Sequence, residues 1–429
     1  MWVPRKELDT FFLSLRNVLT IVRHHFTIVI MKIKRNIFNT LVEQFGEPKI
    51  SVLVGPRQVG KTFLLRELEE HAKKRGLKTR YFDLEIPDDL LSLGKTDKEQ
   101  FDVLTSSGDA VFIDELYRLK NISHVFKAIF DSNKKKPKIF TSGSSAMELH
   151  THLKESMAGR VIFNRIFPLT LSELNQQHDY REEDVIVSGG MPGLVNLKKS
   201  GDIPNELQSI VATYINRDIK GLVREENVRA FNHLMYLLAE QQGSVVVSAN
   251  MAGEVGMSKP TIENYLEILS QTYVCHAVPS YARNLGNELK KSRKQFLFDI
   301  GMRNSLVKDF RPIGKRKDAG FLKESFVALN IIRQLKPNME LRFWRTKQGH
   351  EVDFIVVKNR VPYPIEVKSD IAKMEIPDGL KKFLIAYKDA PQAIVYNDRL
   401  TGNVEFDGRV VHFLRWTESE TIDFMSQTV

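Results

Sequence analysis

The chain has 429 residues, too many for one ordinary hydrophobic core, and we therefore expect two or three domains. Its 42% hydrophobic and 27% charged residues are the composition of a soluble globular protein. The single cysteine, Cys275, excludes an intrachain disulfide and fits a reducing cytoplasm, while the net charge is +10.

Two stretches of the chain carry this positive charge. Residues 283–318 hold 11 Lys and Arg against 4 Asp and Glu, and residues 1–35 hold 7 against 2. A concentrated basic surface raises the affinity for nucleic acid through counterion release, so DNA is a candidate partner. A solvated protein face explains the same charge equally well, and the sequence leaves both alternatives open.

The first 30 residues contain many apolar side chains but do not form a continuous apolar segment. Arg16, Arg23 and two histidines interrupt the stretch 11–31, so it does not predict a membrane-spanning helix. No small-residue cleavage site follows, which argues against a secretory signal. Residues 1–30 are either a surface-seeking leader or the result of a translation start set too early. We favour Met31 as the start of the folded unit and expect no membrane partner.

Short apolar runs alternate with helical segments from residue 49 onward. Strands are predicted at 49–55, 79–84, 109–115 and 137–143, with helices at 61–74 and 121–131 between them. Strands separated by helices favour a parallel sheet with helices on both faces. Residues 31–225 are therefore predicted to be an α/β domain, mostly helical from 171 to 222.

A phosphate-binding loop follows the first predicted strand. The motif G-x-x-x-x-G-K-[ST] is matched in full by Gly55, Pro56, Arg57, Gln58, Val59, Gly60, Lys61 and Thr62. Backbone N–H groups of such a loop surround phosphate oxygens, and the helix N-terminus adds partial positive charge. Lys61 is predicted to reach the β- and γ-phosphates of ATP, and Thr62 to place its hydroxyl on Mg²⁺.

An acidic pair, Asp114 and Glu115, ends the buried strand predicted at 109–115. Such a strand delivers its last residues to the carboxyl edge of the sheet, where open α/β sheets bind ligands. Asp114 is predicted to hold Mg²⁺ directly or through water. Glu115 is predicted to polarise the attacking water, because phosphoryl transfer depends on positioning and charge neutralisation.

Two further residues are candidates for catalysis. Ser142, at the end of the strand predicted at 137–143, could contact the γ-phosphate or orient the water, the role called sensor 1. An ordinary strand-to-helix turn is the alternative for this serine. Arg160 could act as an arginine finger on the nucleotide of a neighbouring subunit in an oligomer, and a surface arginine is the alternative.

The spacing of residues 226–282 predicts a winged-helix unit. Helices are expected at 231–241, 248–256 and 259–272, followed by a wing strand at 273–279. Lys259, Thr261 and Asn264 would face a DNA groove. Glu263 and Glu267 share that surface and would repel phosphates, so packing or protein contact is the alternative use of this unit.

The last segment, 283–429, begins with the basic stretch and continues as an α/β domain. Glu324 lies on a predicted helix, and Asp353, Glu366 and Lys368 lie on two predicted strands. Together they resemble the PD-(D/E)xK constellation of restriction-endonuclease-like domains. This resemblance implies that the carboxylates hold a divalent metal while Lys368 assists an attacking water. A plain cross-strand charge pattern is the alternative.

Several motifs together resemble the prokaryotic ATPases of the AAA+-like group. These motifs are GPRQVGKT, VFIDE, FTSGSS, AGR and YINRDI. In that group an N-terminal ATPase is followed by a winged helix and a C-terminal domain of uncharacterised function. The resemblance covers the chain from residue 31 onward. It supplies no well-defined second sensor arginine, for which Arg217 is named only as a candidate.

These observations predict a cytoplasmic ATPase with ATP and Mg²⁺ as cofactors, whose attached modules act on nucleic acid or on a protein partner. The first alternative is an ATP-gated, metal-dependent DNA nuclease. The second is a slow-turnover signalling or defence switch that does not bind DNA. Cleavage of DNA that is sensitive to chelators would favour the first, and very slow turnover would favour the second.

Overall fold

The structure of the chain is a computed structural model that describes residues 33–119, 122–133, 136–144, 157–177, 180–195, 197, 201–214, 227–282 and 293–421. The segment 1–30, the favoured start at Met31 and the candidate Arg217 lie outside the described residues. Within the described part of the chain, no helix is both long and apolar enough to cross a membrane.

The first unit is built on a sheet of five parallel strands. They are β1 (Ile50–Gly55), β2 (Thr79–Asp83), β3 (Ala110–Asp114), β4 (Lys138–Ser144) and β5 (Val161–Arg165), in the spatial order β2-β3-β4-β1-β5. Every residue of β1 and β3 is buried, as expected for central strands covered on both faces. The predicted parallel sheet is therefore confirmed.

Helices connect and cover this sheet. They are α1 (Phe38–Glu43), α2 (Lys61–Lys74), α3 (Pro87–Ser92), α4 (Asp97–Ser106) and α5 (Ile122–Asp131). The mostly helical region beyond β5 contains α6 (Leu171–Leu174), α7 (Glu182–Ser188) and α8 (Asp202–Tyr214). Short 3-10 turns span Gln44–Gly46, Leu116–Arg118 and Pro192–Leu194, with two more at Ile313–Lys315 and Trp416–Glu420. The sequence did not predict α3, α4 or β5.

The middle unit combines three helices with a small antiparallel sheet. The helices are α9 (Val228–Glu240), α10 (Ser248–Val255) and α11 (Lys259–Gln271), close to the predicted bounds. The strands are β6 (Val245–Val246), β7 (Cys275–Pro279) and β8 (Arg293–Leu297), in the spatial order β6-β8-β7. The strand β8 lies beyond residue 282, where this unit was predicted to end.

A tight junction joins the middle unit to the first. The carboxylate of Asp299 accepts hydrogen bonds from the N–H of Gly190 at 2.8 Å and from the N–H of Met302 at 3.0 Å. It thereby caps the helix α12 (Ile300–Val307). Gly301 packs against the backbone of Ser188 so closely that a Cβ would come within 1.9 Å of its carbonyl oxygen.

The third unit is a mixed six-stranded sheet with a helix on each face. The strands are β9 (Met339–Arg345), β10 (Glu351–Lys358), β11 (Val361–Val367), β12 (Gln392–Asn397), β13 (Gly402–Phe406) and β14 (Arg409–Arg415). Their spatial order is β13-β14-β12-β11-β10-β9. Alternate residues of β12 reach opposite faces: Ile394 and Tyr396 pack with the helix α13 (Ala319–Gln334), and Val395 packs with α14 (Asp378–Ala386).

Candidate functional site

The phosphate-binding loop lies at the carboxyl edge of the parallel sheet, between β1 and α2. Both of its glycines are required by the backbone. Gly55 has φ of 147°, and a Cβ there would come within 2.4 Å of the carbonyl oxygen of Ile166. Gly60 has φ of 95°, in the left-handed region that side chains disfavour. The loop conformation therefore depends on the two residues that define the motif.

Lys61 is buried at the start of α2 and folds back onto the loop. Its Nζ donates hydrogen bonds to the carbonyl oxygens of Gly55 at 2.8 Å and Pro56 at 2.7 Å. Thr62, the next residue, is exposed. The Lys61 side chain thus lies against the loop that is predicted to hold the phosphates.

Asp114 is buried at the end of β3 and has two hydroxyl partners. The hydroxyl of Ser142 donates to one carboxylate oxygen, and the Tyr81 hydroxyl donates to the other at 3.2 Å. Burial and the neighbouring Asp114 raise the pKa of Tyr81 well above its ordinary value, so its hydroxyl remains a donor. Sequence reasoning missed Tyr81, because an aromatic residue on a strand is a common core feature.

Strand order explains how Ser142 meets the acidic pair. The strand β4 lies between β1 and β3, and Ile113 of β3 is opposite Thr141 of β4, so the next residues, Asp114 and Ser142, are neighbours. The backbone N–H of Glu115 also donates to the Ser142 hydroxyl at 3.3 Å. Glu115 is half-buried and has φ of 56°, a strained conformation for a non-glycine residue.

Arg160 lies at the opposite edge of the sheet. It directly precedes β5, whose first residue, Val161, pairs with the first residue of β1. Its guanidinium forms an ion pair with Asp131 at 3.1 Å. Arg160 is therefore separated from the phosphate-binding loop of its own chain by the length of a strand. Its predicted action on a neighbouring subunit stays a prediction.

Arg35 is a further residue of the loop region that sequence reasoning missed. Its guanidinium donates to the carbonyl oxygens of Val59 at 2.9 Å and Phe167 at 2.6 Å. It also forms a buried ion pair with Glu173 at 3.2 Å. Arg35 thus ties the phosphate-binding loop to the segment after β5. A single arginine before the first strand carries no sequence signal that distinguishes it from a surface residue.

A second arginine links the edge of the sheet to the middle unit. Arg165, at the end of β5, is opposite Val54 and donates to Nδ1 of His276 on β7 at 2.5 Å. Burial and the nearby arginines Arg165 and Arg333 lower the pKa of His276 well below its ordinary value, so the ring is neutral and can accept. Burial also lowers the pKa of Arg165 to about 10.

The four residues predicted in the third unit line one pocket of about 690 Å³. Phe354 of β10 is opposite Ile365 of β11, which makes Asp353 and Glu366 direct neighbours across the two strands. The N–H of Asp353 donates to Glu366 Oε2 at 3.3 Å, and the Lys368 ammonium lies 2.7 Å from Glu366 Oε1. The structure therefore brings Glu324, Asp353, Glu366 and Lys368 together.

Lys294 also enters this pocket, and the sequence did not predict it there. Its ammonium lies 2.9 Å from Glu324, 2.8 Å from Glu351 and 3.8 Å from Asp353. Burial would lower the pKa of Lys294, but these carboxylates outweigh it and raise the pKa. Sequence reasoning included Lys294 among the cations of the basic stretch 283–318. The short strand β8, on which it lies, could not be distinguished there from a charged surface segment.

Burial also changes the acidity of two carboxyls in the pocket. It raises the pKa of Glu324 to about 8, with a further contribution from Asp353, although Lys294 acts in the opposite direction. It raises the pKa of Glu366 to about 7, again with a contribution from Asp353. Across the residues that the structure describes, no three His, Cys, Asp or Glu side chains are placed to share a metal ion.

The predicted DNA-facing helix, α11, presents mixed charge. Lys259 and Asn264 are exposed and Thr261 is half-buried. Lys259 forms an ion pair with Glu263 at 3.6 Å, one turn further along the helix. The positive charge nearest to a DNA phosphate would therefore already have a carboxylate partner. This surface does not favour DNA binding on electrostatic grounds.

The basic stretch is only partly a basic surface. Lys315 and Lys317 are exposed, but the Arg316 side chain is fully buried and forms an ion pair with Asp318 at 2.7 Å. Arg303 is also buried and pairs with the same carboxylate at 2.6 Å. Arginines that form buried ion pairs within the chain cannot contact phosphates. The number of Lys and Arg residues in this stretch therefore overestimates the positive charge of its surface.

Comparison with protein families matches three successive parts of the chain. Residues 47–175 match the family model described as an AAA domain. Residues 180–312 match a domain of unknown function, DUF8612, and residues 319–418 match another, DUF4143. The match and the five-stranded parallel sheet together support an AAA+-like P-loop NTPase domain in the first unit.

Relatives of the whole chain are uncharacterized proteins. One from Mycobacterium tuberculosis (strain ATCC 25618 / H37Rv) is 25% identical over 349 residues, covering 81% of this chain and 76% of the relative. One from Haemophilus influenzae (strain ATCC 51907 / DSM 11121 / KW20 / Rd) is 23% identical over 415 residues, covering 89% and 98%. AMPPCP-bound DnaA from Aquifex aeolicus is similar at a TM-score of 0.30 and 16% identity, covering 54% of this chain and 86% of DnaA. This similarity is too low to extend to function.

Proposed function

We propose that this protein is an ATP-dependent molecular switch that hydrolyses ATP with Mg²⁺ and passes its nucleotide state to the two attached units. One observation carries the proposal. The ends of three neighbouring strands, β1, β4 and β3, bring the phosphate-binding loop, Ser142 and the pair Asp114–Glu115 to the same edge of the sheet. These groups supply the charge and hydrogen bonding that phosphoryl transfer needs.

The residues fit ATP and Mg²⁺ by their chemistry. The loop N–H groups and Lys61 would hold the phosphates, while the Thr62 hydroxyl and the Asp114 carboxylate are oxygen donors of the kind that Mg²⁺ prefers. Bound Mg²⁺ would neutralise charge on the phosphates. Glu115 would position a water molecule, and Ser142, bonded to Asp114 and to the Glu115 backbone, would hold both acidic residues in place.

Direct contacts between units support the transmission of nucleotide state. Arg165 lies opposite Val54, directly before the phosphate-binding loop, and its guanidinium contacts His276 in the middle unit. At the third unit, Glu420 accepts hydrogen bonds from the backbone N–H groups of Leu171 at 2.6 Å and Ser172 at 3.1 Å. A shift at the nucleotide edge would therefore reach both attached units through hydrogen-bonded residues.

The middle unit supports a winged-helix interpretation. Its order is helix, short strand, two helices and two strands, with α10 and α11 joined by a turn at residues 256–258. Winged helices bind DNA or serve as protein contacts, and the mixed charge of α11 favours a protein contact. We therefore propose a switch whose output is a protein contact, with DNA as the rival partner.

Turnover of ATP by the full chain, measured with and without duplex DNA, tests this proposal. We expect Mg²⁺-dependent hydrolysis that changes less than twofold when DNA is added. Stimulation of tenfold or more by DNA would make nucleic acid the partner. Nucleotide binding without measurable turnover would instead favour the slow signalling switch. The convergence of Glu324, Asp353, Glu366 and Lys368 is compatible with the metal-dependent nuclease alternative, but Lys294 lies among these carboxylates, where that alternative needs a metal ion.

A further inference from the structure

The pocket of the third unit contains a buried positive charge next to its carboxyl groups. Lys294 lies within 4 Å of Glu324, Glu351 and Asp353, and only 2% of the residue is exposed. Buried carboxylates require a compensating cation or hydrogen bonds. The Lys294 ammonium meets part of that requirement without a metal ion, and Lys368 beside Glu366 meets a further part.

The remaining oxygen atoms of the strand carboxylates are also engaged. For Asp353, Oδ1 faces Lys294 and Oδ2 accepts the Val367 N–H at 2.9 Å. For Glu366, Oε1 faces Lys368 and Oε2 accepts the Asp353 N–H. A divalent metal needs carboxylate oxygens that converge on it at about 2.0–2.6 Å, so an ion here would compete with the Lys294 and Lys368 ammonium groups for these oxygens.

We infer that Lys294 takes the place of a divalent cation in this pocket, which is therefore a metal-independent ionic contact between the middle unit and the third unit. With Lys294 in place, the carboxylates do not fit the metal site that the PD-(D/E)xK resemblance implied. This inference is independent of the nucleotide site and goes beyond the proposed switch, because it concerns how the two attached units are held together.

The origin of the lysine makes the pocket a contact between units. Lys294 lies on β8, which pairs with β6 and β7 in the middle unit, whereas Glu324 lies on α13 and Asp353 on β10 in the third unit. Gly243, also in the middle unit, lies against Glu324, since a Cβ on this glycine would be 3.6 Å from Glu324 Oε1. Moving the two units apart would remove Lys294 and increase the excess of carboxyl groups over ammonium groups in the pocket.

The first test is a titration of the nucleotide-free full chain with Mn²⁺, monitored by the electron paramagnetic resonance signal of free Mn²⁺. We expect the wild type and Asp353→Asn to bind the same amount of Mn²⁺ up to about 1 mM, because the pocket takes none. A wild-type site that Asp353→Asn abolishes would overturn the inference. This outcome does not depend on ATP hydrolysis.

The second test replaces the lysine. Lys294→Met should lower the melting temperature by about 5 °C or more, because removing one partner leaves buried carboxylates uncompensated. Added Mn²⁺ should then raise the melting temperature of Lys294→Met but not that of Lys294→Met/Asp353→Asn. A melting temperature of Lys294→Met that does not respond to Mn²⁺ would show that a metal cannot replace the lysine, and the inference would be wrong.

Two further variants keep this test interpretable. Lys323→Met removes another partly buried lysine, which pairs with Asp398 at 2.7 Å on the same unit but outside the pocket, and it should gain no response to Mn²⁺. Lys294→Arg retains the positive charge and should remain insensitive to Mn²⁺ even if Lys294→Met does not fold. A response to Mn²⁺ in either variant would contradict the assignment.

Discussion

Single residues at the nucleotide edge are held by hydrogen bonds that a ligand can replace. Lys61 is bonded to two carbonyl oxygens of its own loop, and Asp114 is bonded to the hydroxyls of Ser142 and Tyr81. Exchanging these carbonyl and hydroxyl partners for phosphate oxygens or a cation would gain electrostatic attraction. The side chains expected to contact the nucleotide are thus held in place by contacts within the first unit.

Lys61→Ala should abolish nucleotide binding while the fold survives. The variant loses the cation that would contact the β- and γ-phosphates, and we expect the affinity for a fluorescent ATP analogue to fall at least 100-fold. Lys74→Ala, at the exposed end of the same helix, should bind as the wild type does. Retained binding in Lys61→Ala would remove this lysine from the site.

Glu115→Gln separates binding from hydrolysis. The amide keeps the size of the side chain and the N–H bond to Ser142, but it cannot polarise water as a carboxylate does. We expect unchanged ATP affinity and a fall in turnover of about 100-fold or more. Full ATPase activity in this variant would show that another group positions the water.

The raised pKa of Glu324 gives a stability that depends on pH. Because the folded state holds a proton up to about pH 8 and the unfolded state loses it near 4.5, the free energy of unfolding falls as pH rises between these values. Glu324→Gln should remove its own part of this fall, which reaches about 1.4 kcal/mol per pH unit, and leave the part that comes from the raised pKa of Glu366. Denaturant unfolding at several pH values measures it. An unchanged slope would contradict the assignment, and the exposed Glu405→Gln should leave the slope intact.

At the scale of elements, the junction between α7 and α12 tolerates no side chain on one helix. A Cβ at Gly301 would lie 1.9 Å from the carbonyl oxygen of Ser188, so the helix would have to move. We expect Gly301→Ala to destabilise the fold by about 1–3 kcal/mol in denaturant unfolding. Gly253 lies on α10, and no atom is within 4 Å of a Cβ at this position. Gly253→Ala should therefore stabilise the fold by about 0.5–1 kcal/mol. A neutral Gly301→Ala would mean that the junction is loose.

The sequence predicted the strands β1 and β3, whose burial is complete, and also the edge strand β2, in which only Phe82 is buried. The strands β1 and β3 are continuous apolar runs because both faces are covered, and α2 has the predicted bounds 61–74. The strand β5 lies at the sheet edge with only Asn164 buried, so its sequence has no such run. The strand β8 was missed because Arg293 and Lys294 begin it, and their partners are far away in the sequence.

In the candidate site too, the sequence revealed some residues and missed others. The loop Gly55–Thr62 and the pair Asp114–Glu115 are local motifs that the sequence displays directly. Arg35, Tyr81 and Lys294 act through partners that only the fold brings near, and no local spacing identifies them. Sequence therefore predicts the groups expected to contact the nucleotide better than the groups that hold them in place.

At the scale of the whole molecule, internal ion pairs neutralise part of the positive charge of the basic stretch. Three of these cations are buried against carboxylates: Arg303, Arg316 and Lys294. The number of Lys and Arg residues in 283–318 therefore does not measure the positive charge of the protein surface. At the turn formed by residues 315–317, the exposed cations are Lys315 and Lys317. Any nucleic-acid footprint here is therefore smaller than the sequence predicted.

The double variant Lys315→Gln/Lys317→Gln tests that footprint. If duplex DNA binds through this turn, two lost phosphate contacts should reduce the slope of log K against log salt by about 2 units at most, because each contact contributes about 0.9. Fluorescence anisotropy of labelled duplex at several salt concentrations measures the slope. Lys74→Gln/Lys98→Gln removes two exposed charges from the first unit and should not change it.

Arg316→Gln should behave differently from its two neighbours, because its guanidinium is fully buried. It donates to the carbonyl oxygen of Asp309 at 2.5 Å and pairs with Asp318, so we expect lower stability and an unchanged salt slope. A slope that is the same in the lysine double variant and the wild type would place any footprint elsewhere. A slope reduced by Arg316→Gln alone would mean that this arginine leaves its carboxylate to reach DNA, and that the stretch acts as a basic surface after all.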